Sequence, residues 1–269
     1  RNDFRLTPPD LEQALQRERA RGKSVKAVLL CSPGNPVGQV FDAEQVEAFV
    51  RIAAEYACAL IVDEVYASSC FDGVEFHSAL THEAEHVFVL GGLSKDFGLA
   101  GYAAGWLHGF HTGVMKAVAK QAHFYRLPSP VQRTIQEVLA PHRRREFVDG
   151  NRRLLFERAR EARTTLEAIG VDVAPAEAGL CLWLDLTEYL TTPDGDGQMD
   201  LYCELLEESR VHLSPAAGFY CSLPGYFRIC FSQEAAVLQE GLKRIVSGLS
   251  NRTISRSESP RPSTEDVLL

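Results

Sequence analysis

The chain has 269 residues, 45% of them hydrophobic, and a formal net charge of −8 at pH 7, since 28 basic residues stand against 36 acidic ones. This length is enough for one large domain or two moderate ones, each with a real core. The acidic balance, with no basic and aromatic-rich strand face, argues against nucleic-acid binding. No apolar run approaches the roughly 20 residues that a membrane-spanning helix needs.

The first informative segment is a predicted strand over 25–30 that runs into a loop over 31–38. The loop holds two prolines and two glycines, which break regular structure. Asn35 precedes Pro36, and a residue before proline prefers extended backbone, so its amide can be aimed into a cleft. An ordinary strand-to-helix turn is the alternative. A helix is predicted next, over 42–56, from its apolar stripe.

The second segment is an apolar run over 59–63, which predicts a parallel strand covered on both faces. It ends in Asp63 and is followed by Glu64 and Tyr66. Ligands of open α/β sheets bind beyond the carboxyl ends of the strands. A carboxylate there can keep a heteroaromatic nitrogen protonated, which pyridoxal phosphate requires to act as an electron sink. Asp63 as the N-cap of a following helix is the alternative.

The third segment is a predicted strand over 86–91 that leads into a glycine-flanked loop carrying Lys95. Burial beside apolar surface disfavours the charged form of an amine. A neutral lysine is a nucleophile toward aldehydes, the first requirement for Schiff-base chemistry. A surface lysine after a strand is the alternative. A strand over 102–107 and helices over 115–127 and 131–139 are predicted to follow.

The second half of the chain begins with a long amphipathic helix, predicted over 147–169. Its stripe runs through Leu155, Ala159, Ala162 and Leu166, and Gly170 ends it. Later predicted elements are a strand with leucines at 180, 182 and 184, a helix over 200–209, a strand around Arg228 and a helix over 234–249.

Together these segments resemble the fold-type I pyridoxal-phosphate enzymes, specifically the class I and II aminotransferases. The resemblance covers about residues 1–250 and rests on four motifs in the family's order: Asn35–Gly38, Asp63–Tyr66, Ser94–Lys95 with the glycines that follow, and Gly225–Phe231. Three stretches look closest to the 1-aminocyclopropane-1-carboxylate synthase-like branch: Ser94–Gly101, Gly179–Leu186 and Leu213–Pro215.

The resemblance implies an α/β fold, a three-layer sandwich with an incomplete large domain over residues 1–140. A smaller α+β domain, including the linking helix, is expected over 141–250. The chain is expected to be truncated at its N-terminus, because it offers no counterpart to the family's glycine-rich phosphate loop or to its ring-stacking aromatic residue. Residues 251–269 are rich in Ser, Arg, Pro and Thr, and we expect a disordered tail there.

The resemblance also implies roles for individual residues. Lys95 would form the Schiff base with pyridoxal phosphate and then move a proton. Asp63 would pair with the pyridine nitrogen, while Asn35 and Tyr66 would hydrogen-bond the phenolic oxygen of the ring. Arg228 would clamp the substrate's α-carboxylate, because its planar fork matches a carboxylate with two parallel bonds. An exposed arginine on a strand face is the alternative for Arg228.

Two positions depart from the family pattern. The family's serine three residues before the Schiff-base lysine is Gly92 here, and the arginine eight residues after it is Ala103. Both family residues bind the cofactor's phosphate, and the loss of such an arginine contact is worth about 1.5–3 kcal/mol. Ser94 lies beside these positions and is a further candidate for contact with the cofactor.

Three activities are compatible with the resemblance. Transamination between an α-amino acid and a 2-oxo acid is the commonest activity in the family. The synthase-like branch would instead eliminate from the γ-position of a substrate like S-adenosylmethionine. A non-catalytic homologue that retains the fold is favoured by Gly92, Ala103 and the expected truncation. Family active sites lie at dimer interfaces, so a full-length form is expected to be a homodimer.

The cysteines and histidines indicate neither disulfides nor a metal. Seven scattered cysteines without a Cys-x-x-Cys motif are typical of reduced thiols in the cytoplasm. The grouped histidines, His77, His82 and His86, lack close partners at ligand spacing, so no metal is expected.

Overall fold

A computed structural model describes residues 4–258 of the chain, and its side chains as far as residue 252. The chain divides into two compact units. The first comprises the residues up to Glu157 together with Pro175–Leu180, and the second comprises Arg158–Ala174 and the residues from Cys181 onward. The division therefore falls inside a long helix, whereas the sequence placed the domain boundary at residue 140.

The first unit is built on a four-stranded sheet of order β1-β2-β3-β4. The three strands β1 to β3 are parallel, which confirms the expected α/β class. The last strand is antiparallel to β3, because the chain returns through a short connection rather than through a crossover helix. In chain order the elements are α1 (Pro8–Ala20), β1 (Ala27–Cys31), α2 (Ala43–Glu55), β2 (Ala59–Asp63), β3 (Val87–Gly92), β4 (Gly105–Gly109), α3 (Thr112–Ala122), α4 (Ser129–Val138) and the start of α5 (Pro141–Glu167).

Helices α1 and α2 supply the apolar residues that cover one face of this sheet. The buried strand residues on that face are Leu30, Leu60, Val62, Val87 and Val89. The opposite face is less covered, since Leu29 is 67% exposed and Ile61 is half-buried. The expectation that β2 is covered on both faces was therefore wrong. Both faces of β2 carry apolar side chains, so the sequence does not show that only every second residue is buried.

Helix α2 begins where its local sequence predicts. Asp42 Oδ1 accepts a hydrogen bond from the Gln45 backbone N–H at 2.8 Å, and Gln45 Oε1 accepts one from the Asp42 N–H at 3.2 Å. This reciprocal capping box satisfies N–H groups that the first helical turn leaves unpaired. Val46, Phe49 and Ala53 then lie on one helical face and pack into the core.

The second unit contains an antiparallel sheet of order β5-β6-β8-β7 together with helices, the expected α+β arrangement. The predicted stripe of α5 is buried at Leu155, Ala159, Ala162 and Leu166. The elements are the end of α5, β5 (Asp172–Val173), β6 (Cys181–Asp185), α6 (Gly195–Glu207), β7 (Ser214–Pro215), β8 (Tyr226–Cys230) and α7 (Ala235–Glu258).

Helix α7 extends to Glu258, well past the predicted end at Leu249. Arg252 explains the extension, because its side chain is only 6% exposed. Its Nε donates to the Tyr189 carbonyl at 2.7 Å, and its guanidinium pairs with Glu204. The expected disordered tail, 251–269, therefore begins inside a helix, and residues 259–269 lie outside the described residues.

The helices were also compared with the requirements of a membrane span. Among the described residues, no helix combines the length and the apolar character that such a span needs.

Candidate active site

The predicted site residues of the first unit follow the carboxyl ends of its three parallel strands. The strands are in register there, with Cys31 opposite Asp63 and Asp63 opposite Leu90. Parallel strands that end in register deliver their following loops to one edge of the sheet. That edge therefore receives all five sequence-predicted residues of this unit, namely Asn35, Asp63, Tyr66, Ser94 and Lys95.

Asp63 is half-buried at the end of β2, and its carboxylate has a defined orientation. Oδ1 accepts a hydrogen bond from the Val65 backbone N–H at 3.1 Å, a local turn rather than a helix N-cap. Oδ2 accepts no hydrogen bond from any of the residues that the structure describes. The carboxylate is thus anchored through one oxygen and can accept a proton donor through the other.

The pKa of the Cys31 thiol is affected by the groups at this edge of the sheet. The pKa of its thiol is raised to about 11, chiefly by burial and also by the negative charge of Asp63, while the backbone N–H of Asn35 acts in the opposite direction. Cys31 therefore interacts with both residues, which brings Asn35 and Asp63 to the same end of β1 and β2. A neutral thiol at this position adds no charge to compete with the Asp63 carboxylate.

The loop that carries Asn35 is fixed by backbone hydrogen bonds. The Gly34 N–H donates to the Gln39 carbonyl at 2.8 Å, and the Gly38 N–H donates to the Gly34 carbonyl at 2.9 Å. Gly38 adopts φ +73°, and a Cβ there would lie 2.6 Å from the Ala178 backbone oxygen. The turn thus needs a glycine for both its backbone conformation and its close approach to residues 175–180.

Tyr66 and Glu64 occupy different environments after β2. Both side chains are buried, and the hydrogen bonds of Glu64 show what its carboxylate does. Glu64 accepts hydrogen bonds from the Ser78 hydroxyl at 2.7 Å and from the Ala79 N–H at 2.9 Å. Burial raises the pKa of Glu64 in spite of these bonds. Glu64 is thus a structural acid that ties β2 to the segment after it, and Asp63 is the carboxylate of the site edge.

Lys95 lies in the turn after β3, as predicted, but its side chain is exposed. The expected burial of its amine beside apolar surface is therefore absent among the described residues. The turn is closed by the Gly98 N–H, which donates to the Lys95 carbonyl at 3.3 Å, and Gly98 adopts φ +63°. The amine is accordingly accessible at the strand end.

Asp96, the neighbour of Lys95, was missed by the sequence reasoning. Its carboxylate is 5% exposed and accepts hydrogen bonds from the Ser68 N–H at 2.7 Å and from the Ser69 hydroxyl at 2.5 Å. Burial raises the pKa of Asp96, while the two serines lower it. Asp96 therefore joins the Lys95 turn to the loop that follows Asp63. The sequence signal that could have pointed to a buried Asp96 is its position next to the apolar residue Phe97.

The two departures from the family pattern have distinct local geometries. A Cβ on Gly92 would meet the Ala104 carbonyl oxygen at 3.3 Å, a tight contact. Ala103 is exposed and adopts φ +48° at the end of a short 3-10 turn. A longer side chain at position 103 therefore has room, whereas one at position 92 needs a small shift of β4.

Arg228 belongs to the second unit, on β8. Its guanidinium carbon lies 4.7 Å from the centre of the Phe219 ring, and its Nη2 donates to the Ser214 hydroxyl at 3.3 Å. Phe227 and Ile229, its neighbours along the strand, are buried on the opposite face. The stacking and the hydrogen bond hold the guanidinium plane in place, which is the arrangement that bidentate carboxylate binding requires.

Within residues 4–258, no group of three or more His, Cys, Asp or Glu side chains is placed to hold a metal ion.

Comparisons with known proteins agree with the geometry. The family model described as "Aminotransferase class I and II" matches residues 1–245. The probable aminotransferase ACS12 of Arabidopsis thaliana is 30% identical over 258 residues, covering 91% of this chain and 52% of that protein. The 1-aminocyclopropane-1-carboxylate synthase 6 of the same plant is 31% identical, covering 91% of this chain and 51% of that protein. The chain thus spans about half the length of these curated relatives.

The fold has solved counterparts. An aromatic aminotransferase from Pyrococcus horikoshii OT3 superposes with a TM-score of 0.81 at 21% identity, covering 94% of this chain and 66% of that chain. At this level of identity the likeness establishes a common fold.

Proposed function

Because the chain belongs to the class I and II aminotransferase family, we propose that the edge formed by β1, β2 and β3 is a pyridoxal-phosphate site that acts on an α-amino acid. The observation that carries the proposal is the shared register of the three strand ends, which delivers Asn35, Asp63 and Lys95 to one edge. Relatives of this chain are named as an aminotransferase and as a synthase, so the family supports a pyridoxal-phosphate enzyme without selecting one reaction.

The donor groups at the edge suit the ring of the cofactor. Asp63 has one anchored oxygen and one that is open to a protonated nitrogen. Asn35 and Tyr66 offer an amide and a hydroxyl for an anionic ring oxygen, and Lys95 Nζ is an exposed amine for the aldehyde. When bound, the cofactor supplies an electron sink for the charge left on the α-carbon.

The residues of the chain would then have three tasks. Asp63 keeps a proton on the ring nitrogen, because a carboxylate stabilises the positive charge of its partner. Lys95 would hold the cofactor's aldehyde through Nζ, and its amine would serve as the general base for the α-proton of the substrate. Asp96 holds the turn that presents Lys95, through its bonds to Ser68 and Ser69.

The site offers fewer polar groups to the cofactor's phosphate than to its ring. Gly92 and Ala103 occupy the positions at which the family has a serine and an arginine. Ser94 is therefore the remaining candidate for a contact with the phosphate. A missing charge-assisted contact of about 1.5–3 kcal/mol corresponds to roughly a tenfold to hundredfold loss of affinity. We therefore expect binding of pyridoxal phosphate that is measurable and weak.

For the substrate, we propose that Arg228 binds the α-carboxylate. Support comes from its held guanidinium, which stacks on Phe219 and donates to Ser214. Transamination with a 2-oxo acid is the first candidate reaction, and elimination from the γ-position of an S-adenosylmethionine-like substrate is the second, favoured by the names of the synthase relatives. A non-catalytic homologue is a third reading, and Gly92 with Ala103 favours it. We also propose a cytoplasmic location and, for the full-length chain, a homodimer.

The decisive experiment traps the lysine. The purified chain is mixed with pyridoxal phosphate, reduced with borohydride, digested, and its peptides are weighed. We expect the cofactor's mass on the peptide that contains Lys95, its loss in Lys95→Ala, and its retention in Lys116→Ala, which removes an exposed lysine of α3. Label that is spread over surface lysines, or that persists in Lys95→Ala, contradicts the proposal.

A gain-of-function variant tests the phosphate argument separately. Ala103→Arg should tighten the binding of pyridoxal phosphate by roughly tenfold to hundredfold, measured by absorbance titration. Ala103→Gln, which is long and uncharged, is the matched control. Equal affinities for the two variants contradict the assignment of position 103 to the phosphate. Product assays then compare formation of a 2-oxo acid with release of a thioether from S-adenosylmethionine.

A further inference from the structure

Two cysteines face each other on the sheet of the second unit, at the end of β8 that lies just beyond Arg228. Cys181 on β6 is the direct register partner of Cys230 on β8. The Leu186 N–H donates to the Gly225 carbonyl at 2.8 Å, and these two residues continue the same register. Antiparallel pairs alternate between hydrogen-bonded and non-hydrogen-bonded, so counting along the strands makes Cys181 and Cys230 a non-hydrogen-bonded pair.

This type of pair has the right separation for a covalent bond between the side chains. Opposite residues in non-hydrogen-bonded pairs have Cα atoms about 4.5 Å apart, and their side chains lie on one face of the sheet. Disulfides in proteins join Cα atoms that are about 4.4 to 6.8 Å apart. The backbone of β6 and β8 therefore already holds the two thiols within bonding range, whereas no other described cysteine has a cysteine as its partner in a strand register.

The surroundings of Cys230 favour its reactive form. The pKa of Cys230 is lowered to about 5, chiefly by a hydrogen bond from the Cys181 thiol and against the opposing effect of burial. The Ser232 hydroxyl, 3.2 Å from Sγ, and the charge of Arg228 contribute to this lowering. Cys230 is exposed and Cys181 is half-buried. The thiolate is the nucleophile in disulfide exchange, so Cys230 is suited to react first.

A small reagent can reach this thiolate. Cys230 is exposed, and it borders a cavity of about 700 Å³ that is also lined by Val211, Leu213 and Val237. By contrast, burial raises the pKa of Cys31 and of Cys70 to about 11, which keeps those thiols protonated and unreactive.

Charged and titratable groups near Cys230 come from several elements. Cys181 on β6 and Arg228 on β8 interact with it directly. The groups that share its cavity are Arg210, His212, Glu240 and Arg244. Among these groups, Arg228 is the one whose charge lowers the pKa of Cys230, which favours the thiolate over the thiol.

We propose that Cys230 and Cys181 form a redox-active dithiol, which a low-molecular-weight disulfide such as glutathione disulfide oxidises to a disulfide between β6 and β8. The Cys230 thiolate attacks one sulfur of the reagent, forms a mixed disulfide and releases one glutathione thiolate. The Cys181 thiol loses its proton and attacks Cys230 Sγ, which releases the second glutathione. The two cysteines lose two electrons and two protons, and the reagent is reduced to two thiols.

The test uses the reduced chain without any cofactor, so its outcome is independent of the proposed activity. After treatment with glutathione disulfide, the remaining thiols are alkylated and the intact chain and its peptides are weighed. We expect a product lighter by two hydrogen atoms whose peptides are joined through Cys181 and Cys230. Cys181→Ser should stop at one glutathione attached to Cys230. Cys230→Ser should leave Cys181 unmodified over the same period.

Cys203→Ser is the matched control, because Cys203 is exposed and has no cysteine opposite it. It should form the cross-strand disulfide as the unsubstituted chain does. The proposal is overturned if glutathione is found on several cysteines without a link between residues 181 and 230, or if the link forms equally well between other pairs.

The rate of alkylation provides an independent readout. Between about pH 6.5 and 8.0, the rate at an ordinary thiol increases roughly twentyfold, because the thiolate fraction increases. The rate at Cys230 should change by less than about twofold, because its thiolate is already formed. An increase at Cys230 that matches that of an ordinary thiol contradicts the assignment of Cys230 as the attacking group.

Discussion

Asp96→Ala should destabilise the first unit substantially. The substitution removes the acceptor of the Ser68 N–H and of the Ser69 hydroxyl, which is fully buried. A buried donor left without its acceptor costs about 1–3 kcal/mol. Water can reach the half-buried Ser68, and the removal of a buried carboxylate offsets part of the loss. We therefore expect a decrease of about 2–4 kcal/mol in the free energy of unfolding.

Urea denaturation provides the assay, because each unit contains one tryptophan, Trp106 in the first and Trp183 in the second. Fluorescence of the Trp106→Phe chain isolates Trp183, and its difference from the unsubstituted chain follows Trp106. With a slope of about 2 kcal/mol per M of urea, the midpoint of the Trp106 transition should fall by about 1–2 M. Asp96→Asn, which keeps one acceptor oxygen, should lose about half as much.

Asp72→Ala is the control, since Asp72 is an exposed aspartate of the same unit. Its effect should stay within about 0.5 kcal/mol. The reasoning is refuted if Asp96→Ala has the midpoint of the control, because the carboxylate would then contribute nothing to the link between the two loops.

Three further predictions use the same urea assay. Gly38→Ala should cost at least about 1–2 kcal/mol, since φ is +73° there and the Cβ would meet the Ala178 oxygen, and an unchanged midpoint contradicts this. The raised pKa of Glu64 means that the folded state binds its proton more tightly than the unfolded state, so stability from this group increases as the pH falls toward its ordinary value of 4.5. Glu64→Gln should remove that increase, and parallel pH profiles for the two chains would show the assignment to be wrong. Arg252→Ala should cost about 1.5–3 kcal/mol by removing the pair with Glu204, and it should lower the helical signal in circular dichroism, whereas an unchanged helical signal tells against the anchor.

The strands and the long helices were predictable because their signals are local. The strand predicted over 59–63 was found at Ala59–Asp63, and the helix predicted over 42–56 was found at Ala43–Glu55. An apolar run bounded by polar or glycine residues marks a strand, and a capping aspartate marks a helix start. The order of the site motifs along the chain followed from the same signals, since each comes directly after a strand.

The supporting interactions were not predictable, because they join distant parts of the chain. Asp96 contacts Ser69, and Glu177 contacts both Arg5 at 2.7 Å and the Val40 N–H at 2.9 Å. Nothing in the local pattern around these residues specifies the partner. For Lys95 the sequence left burial and a surface position open, and the structure gives the surface position, since an apolar strand before a residue says little about the turn after it.

In the proposed site, the candidate ring contacts and the candidate phosphate positions come from different parts of the fold, and this separation bears on what we expect the chain to do. The ring contacts come from the loops after three parallel strands, so the pairing of β1, β2 and β3 alone brings them together. The phosphate positions, Gly92 and Ala103, flank the Lys95 turn and carry no polar side chain. A chain with this division can keep its lysine and its ring carboxylate in place while its affinity for the cofactor falls. Weak cofactor binding together with labelling of Lys95 is therefore the outcome that we expect from the proposed function, and it is distinct from the loss of both that we expect of a non-catalytic homologue.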